Sequence, residues 1–245
     1  MSEPMNIVYK AIDEEHSEES ATSRRRFVAG AGATRGTMGL LSLGPAAELA
    51  MAKNEPQKIL NVAATVEVLA TIVNTVGGER VPLDKVTQRN IDAAAREELI
   101  HFQVLKSIGA KPATKRIWVP DAVFDSRENF LNTLVKGDQL FINAYLIGTT
   151  AFAKAKDSTS ARFTAEFMGA EAVHRALALQ SLGLLGNDRA FMRYAFVNIE
   201  KAVEILEKNG FGFGEEGAQP GAFYDFDEVK QRTPDPAAVN TRQPK

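Results

Sequence analysis

The chain has 245 residues, 44% of them hydrophobic but only 8% aromatic, which suits one main helical domain with chain left over for tails. A formal net charge of -2 gives no electrostatic reason to expect nucleic acid as a partner. The absence of cysteine excludes disulfides, thiolate metal sites and iron–sulfur clusters, so any metal must be held by oxygen and nitrogen.

Residues 1–22 are polar and acidic, with Asp13, Glu14, Glu15, Glu18 and Glu19 close together, and read as a disordered leader. His16 stands alone in this run and reads as a solvated tail residue. Ser23-Arg24-Arg25-Arg26-Phe27-Val28 comes next, ahead of a Gly/Ala/Leu-rich run to about Ala52. Adjacent arginines before a moderately apolar segment mark an export signal. The stretch resembles a twin-arginine signal, and Ala50-Met51-Ala52 fits a small-x-small cleavage site after Ala52. Arg35 inside the run and Glu48 near the cut keep a flexible basic linker as the competing reading. The export reading implies the twin-arginine machinery as a partner and the periplasm or cell envelope as destination. No other stretch is read as reaching the ~18 apolar residues of a membrane span, so none is expected in the mature chain. The expected division is leader and signal over 1–52, helical bundle over 53–210 and tail over 211–245.

The first predicted helix runs from about Gln57 to Val76 and stops at Gly77-Gly78. Leu60, Ala63, Glu67 and Ala70 share its stripe, so Glu67 sits where a core residue belongs. The second follows Pro82, from about Asp84 to Ile108, and ends at Gly109; its stripe is Ile91, Ala94, Glu98, His101 and Leu105. Residues 109–125, with Pro112, Trp118 and Pro120, form a long connection suited to a crossover. The third starts at Asp125 as N-cap with Glu128 three residues later, a capping-box-like pair, and runs to about Ala155. Leu131, Leu134, Asp138, Phe141 and Tyr145 trace its inner face. The fourth, from about Ser160 to Leu182, turns Phe163, Phe167, Glu171, His174 and Ala178 inward. A fifth is expected over about Asp188 to Lys208, ending at Asn209-Gly210, with Phe191, Tyr194, Val197 and Ile205 packing it on the bundle. The Gly-rich tail carries Phe211, Phe213, Phe223, Tyr224 and Phe226, which should tuck it back; beyond Thr233 it should be loose.

Glu98-Leu-Ile-His101 and Glu171-Ala-Val-His174 each put a carboxylate and an imidazole three residues apart, on one helix face. Each lies in an apolar stripe, where charge is costly unless paired or ligated. Glu67 precedes Glu98 by 31 residues and Asp138 precedes Glu171 by 33. Acid, E-x-x-H, acid, E-x-x-H is the ligand order of a two-metal site inside a four-helix bundle, and its repetition implies approximate twofold symmetry. Glu98 and Glu171 are the expected bridging pair, His101 and His174 each take one metal, and Glu67 and Asp138 are terminal ligands. Carboxylate and imidazole suit iron and manganese, with zinc also open. The competing reading keeps the six as buried hydrogen-bonded or salt-bridged groups. Tyr145 reads either as a core aromatic or as a redox or hydrogen-bonding group beside the metals. Arg96 and Arg175 flank the candidate ligands and read as outer-face residues.

From about Ile59 to Leu182 the chain resembles the ferritin-like superfamily, and within it exported bacterial ferritin-like domain proteins related to plant desiccation-associated proteins. Leu60-Asn61-Val62-Ala63 before Glu67, Glu97-Glu98-Leu99-Ile100-His101, Asp138 before Ala144-Tyr145-Leu146, and Glu171-Ala172-Val173-His174 carry the likeness. It implies a ferritin-like four-helix bundle and a di-iron site; with the long connection and the fifth predicted helix, the expected fold is all-α, a ferritin-like four-helix bundle with a long crossover between helices 2 and 3, plus a fifth C-terminal helix. The wider superfamily usually has Glu where Asp138 stands; the shorter side chain leaves open a second metal that is weaker, singly coordinated or absent. Two functions are expected: an exported protein with two Fe or Mn ions that oxidises Fe(II) or removes peroxide, or a non-catalytic stress or envelope protein. A homo-oligomer is compatible with both.

Overall fold

The computed structural model describes residues 55–187 and 196–236. The leader with its arginine motif, His16 and the expected cut after Ala52 lie outside these residues, as do Phe191 and Tyr194. Within them the protein is mostly helical. The long helices are α1 (Pro56–Arg80), α2 (Lys85–Ser107), α3 (Arg127–Lys154) and α4 (Ser158–Ser181). A short α5 (Glu200–Lys208) and a one-turn α6 (Phe226–Val229) follow. α1 lies along α2 and α3 along α4, and the pairs meet through α1 on α3 and α2 on α4.

Local chemistry sets the helix ends. Pro56 opens α1, where a missing N–H costs nothing. Asp84 caps α2 by accepting from the Val86 and Thr87 N–H groups, and Asp157 caps α4 by accepting from Ser160. The cap of α3 is Ser126, whose hydroxyl accepts from the Asn129 N–H, one residue later than the expected Asp125.

α1 departs furthest from expectation. Apart from Asn61 and Val62, every residue from Ile59 to Gly77 is buried, so the helix is interior on all sides and not merely along one stripe. By length and composition α1 could cross a membrane, with mean hydropathy 1.7 over an 18-residue window. That corrects the expectation that no such stretch follows the leader. However, 89% of the window is buried inside the fold, as in a core helix.

The helix also runs through Gly77-Gly78 instead of stopping there. The Phe130 ring lies against Gly77 so closely that an added Cβ would sit 2.1 Å from its Cε2. Glycine here serves close packing and not chain termination. Gly77→Ala should therefore destabilise the protein, although alanine is the better helix former by about 1 kcal/mol. Overpacking of about 1–3 kcal/mol outweighs that gain. The expected fall in Tm is a few degrees by calorimetry, partly recovered by adding Phe130→Leu. A rise in Tm would refute this account.

The long connection holds a strand that the sequence reading missed. β1 (Arg116–Pro120) lies between β2 (Gly212–Phe213) and β3 (Gly221–Asp225), antiparallel to both, with Trp118 opposite Gly212 and Phe223. Ile117 and Val119 are buried while Arg116 is exposed, the alternation of a half-buried strand. The local signal was only five residues long and its partners lie some ninety or more residues away, so pairing was invisible in the pattern.

The tail is thus structural. Phe226 is fully buried against Phe102, with ring centroids 4.5 Å apart, and Phe211 is buried too. The guanidinium of Arg116 stacks 3.7 Å from the Phe223 ring. Past Thr233, Asp235 pairs with Arg96 at 3.3 Å through a largely exposed carboxylate. α5 begins only at Glu200: residues 196–199 just ahead of it are not helical, although Phe196 and Ile199 are buried, which corrects the expected single helix over 188–208; the expected start at Asp188 lies outside the described residues.

Candidate metal centre

Each helix brings its candidate ligands to the interior by its own periodicity. Glu67 comes from α1, Glu98 and His101 from α2, Asp138 from α3, and Glu171 and His174 from α4. Glu67, Glu98 and Glu171 are fully buried, Asp138 is 4% exposed, and His101 and His174 are 5% and 8% exposed.

Four of the six form a tight group. Glu67, Glu98, His101 and Glu171 each offer one ligand atom within 4.8 Å of all the others, a set that could hold a metal ion. Around His101 Nδ1 stand Glu98 Oε2 at 3.3 Å, Glu67 Oε1 at 3.5 Å and Glu171 Oε1 at 3.6 Å. Around His174 Nδ1 stand Glu98 Oε1 at 3.1 Å and Glu171 Oε2 at 3.7 Å. Glu98 and Glu171 therefore each turn one oxygen to each imidazole, and the two rings lie 6.5 Å apart. Asp138 and His174 both stand outside the tight group.

None of these inward atoms has closed a hydrogen bond. Both oxygens of Glu98 and of Glu171, Glu67 Oε2, Asp138 Oδ2 and the Nδ1 atoms of His101 and His174 are buried without a partner. Such atoms are rare in folded proteins and costly, and together they fit the donor set of a metal ion. Oxygen and nitrogen donors of this kind suit iron, manganese or zinc.

Protonation adjusts in the way burial demands. Burial, and then the Glu98 carboxylate, push Glu67 well above the ordinary glutamate range. Burial and Glu171 do the same to Asp138. Burial would also raise Glu98, but the imidazoles of His174 and His101 overcome it and hold that carboxyl low. The imidazoles would be lowered by burial, yet Glu67 beside His101 and Glu98 beside His174 raise them. Protons on these raised groups thus offset the charge of the buried carboxylates.

Three residues support the six. Tyr145 is buried and donates its hydroxyl to Glu67 Oε1, so it orients a candidate ligand in addition to filling the core. Burial and Glu67 hold its phenol protonated. Phe167 lies over His101, with ring centroids 4.2 Å apart. Glu97, to which the sequence reading gave no role, has Oε2 at 2.5 Å from His174 Nε2 while its side chain is 37% exposed. Donating Nε2–H to Glu97 fixes the His174 ring with Nδ1 facing Glu98, the atom that would be left to bind a metal once its proton is given up. The signal that could have found Glu97 was its place directly before an inward ligand, at the edge of the buried face.

Arg175 corrects another expectation. It is 3% exposed and close enough to Asp138 to oppose the upward push of burial on that carboxyl. α4 packs on α2 and also along α3, so two of its faces are interior and the residue after His174 is not on an outer face. Arg96 is partly buried and pairs with the tail.

Comparison of the chain with models of known families, with curated proteins and with solved structures finds no match. The centre is therefore read from its own geometry.

Glu97→Ala should weaken any metal binding at His174 by about 10–100-fold, the usual cost of losing a histidine's outer partner. Glu97→Gln, which can still accept from Nε2, should retain most of that affinity. Calorimetric titration with cobalt(II) would read both; equal affinities in all three proteins would show that Glu97 positions nothing.

Proposed function

We propose that this protein is an exported, ferritin-like four-helix bundle that holds two iron or manganese ions among α1 to α4. The segment between α2 and α3 is its crossover. The observation that carries this reading is the splitting of Glu98 and Glu171, each with one oxygen toward His101 Nδ1 and the other toward His174 Nδ1. Two carboxylates so disposed suit a bridging pair. His101 and Glu67 would complete one side, His174 and Asp138 the other.

Bound iron or manganese would supply one-electron redox chemistry toward Fe(II), O2 or peroxide. The chain's own part is positioning and exclusion. Tyr145 holds Glu67, Glu97 holds His174, and Phe167 keeps water from the His101 face. Protons held by Glu67, Asp138 and the imidazoles leave as cations bind. Export rests on Arg24-Arg25 and the run to Ala52; that route carries folded proteins, so metal could be loaded inside the cell.

The test is elemental analysis of the mature protein taken from its own envelope, with an anaerobic Fe(II) titration of the metal-free form. About two ions per chain are expected. Near-zero metal with no uptake would leave a helical protein whose bundle serves a binding or structural role in the envelope.

A further inference from the structure

We propose that the pair of metal subsites is reached from one side only, through a small cavity at the Asp138 and His174 half, and that its substrates are water-sized. This rests on the dinuclear reading above. Among the described residues the Glu67 and His101 half is closed: Glu67 is fully buried, the Phe167 ring covers His101, and the Tyr145 hydroxyl occupies Glu67 Oε1.

The His174 half has space beside it. A cavity of about 20 Å³ has buried Asn74, Asp138 and His174 in its lining, together with half-buried Asn90, Leu177 and Ser181. A space needs roughly 10–15 Å³ to hold one water, so this one takes a single water-sized molecule. Organic ligands need some hundreds of Å³ and would not fit.

Its lining adds chemistry to size. Asn74 donates its amide N–H to the Ala70 carbonyl at 3.1 Å, which leaves Oδ1 buried without a partner. Asp138 Oδ2 is likewise without one. Two buried acceptors on a water-sized space suit a divalent cation shedding its water, or hydrogen peroxide with two O–H donors to place. A cation passing this way meets the Asp138 and His174 half first. It reaches Glu67 and His101 only beyond it, so the inner ion should be the last to leave.

Anaerobic loading with cobalt(II) followed by removal with EDTA tests this, independently of any turnover. In the wild type, EDTA should remove two ions in two phases. Ala94 also lines the cavity, and Ala94→Leu, which fills it, should slow loading by about tenfold or more at unchanged stoichiometry. Ser181→Phe at the rim is a second plug should the first fail to fold. Equal loading rates in plugged and wild-type protein, or removal of both ions in one phase, would overturn the access route while leaving the dinuclear centre standing. No uptake by the wild type would overturn the centre and the route together.

Discussion

On the proposed two-ion reading, Glu98→Ala will lose both metal ions, not one. Glu98 Oε2 faces His101 and Oε1 faces His174, so its removal takes a donor from each half at once. Glu67→Ala makes the contrast, because Glu67 approaches only His101. An anaerobic cobalt(II) titration should fall from about two ions per chain to none in the first variant and to about one in the second. Glu98→Gln separates charge from volume: the amide fills the same space but supplies one weakly donating oxygen, so it should behave like the alanine variant. Two ions retained by Glu98→Ala would remove the bridging role. The metal-free variant will also melt earlier, since His101 and His174 lose the carboxylate that balances them inside the core.

Metal removal has the second large expected effect, and its size should depend on pH. A ligand present at a hundred times its dissociation constant stabilises the fold by about 2.7 kcal/mol. For a chain of this size that is a rise in Tm of roughly 5–10 °C per ion. In the metal-free protein, Glu67, Asp138, His101 and His174 all have folded pKa values above their ordinary ones. Stability from a raised group is complete below its unfolded value and is lost as pH rises through the folded value. The loss therefore begins near 4 for the carboxyls and near 6.5 for the imidazoles and continues upward. Glu98, held low, works in the opposite sense, but its contribution is lost only in acid. The Tm of the metal-free protein should thus decline from about pH 6 to pH 9. The increment from metal should grow over the same range, because cations displace those protons. A metal-free Tm that rises with pH would contradict the protonation described for the cluster.

Much of the centre's raw material was visible before any packing was known. Spacing of three residues on a helix places Glu98 with His101 and Glu171 with His174 on one face, whatever surrounds the helix. Glu67 and Asp138 lay in apolar stripes for the same local reason, and all six are interior. Tyr145 shared the Asp138 stripe, but its bond to Glu67 joins α3 to α1 and needed both helices in place. Phe226 and Tyr224 were read as tail residues that fold back; the sheet that carries them was not, since β1 finds its partners only across the finished molecule.

The sequence by itself determined the four long helices, the faces on which acid and imidazole lie and the oxygen and nitrogen character of any site. These follow from backbone periodicity and residue chemistry within a single helix. Only the tertiary structure decided how Glu98 and Glu171 divide their oxygens between two histidines, that Asp138 and His174 stand outside the tight group, and that Glu97 braces His174. It also decided that Gly77 stays helical under Phe130 and that Arg175 is interior. Those outcomes depend on the relative height and rotation of neighbouring helices. These are set by how their side chains interlock and not by the pattern along any one of them.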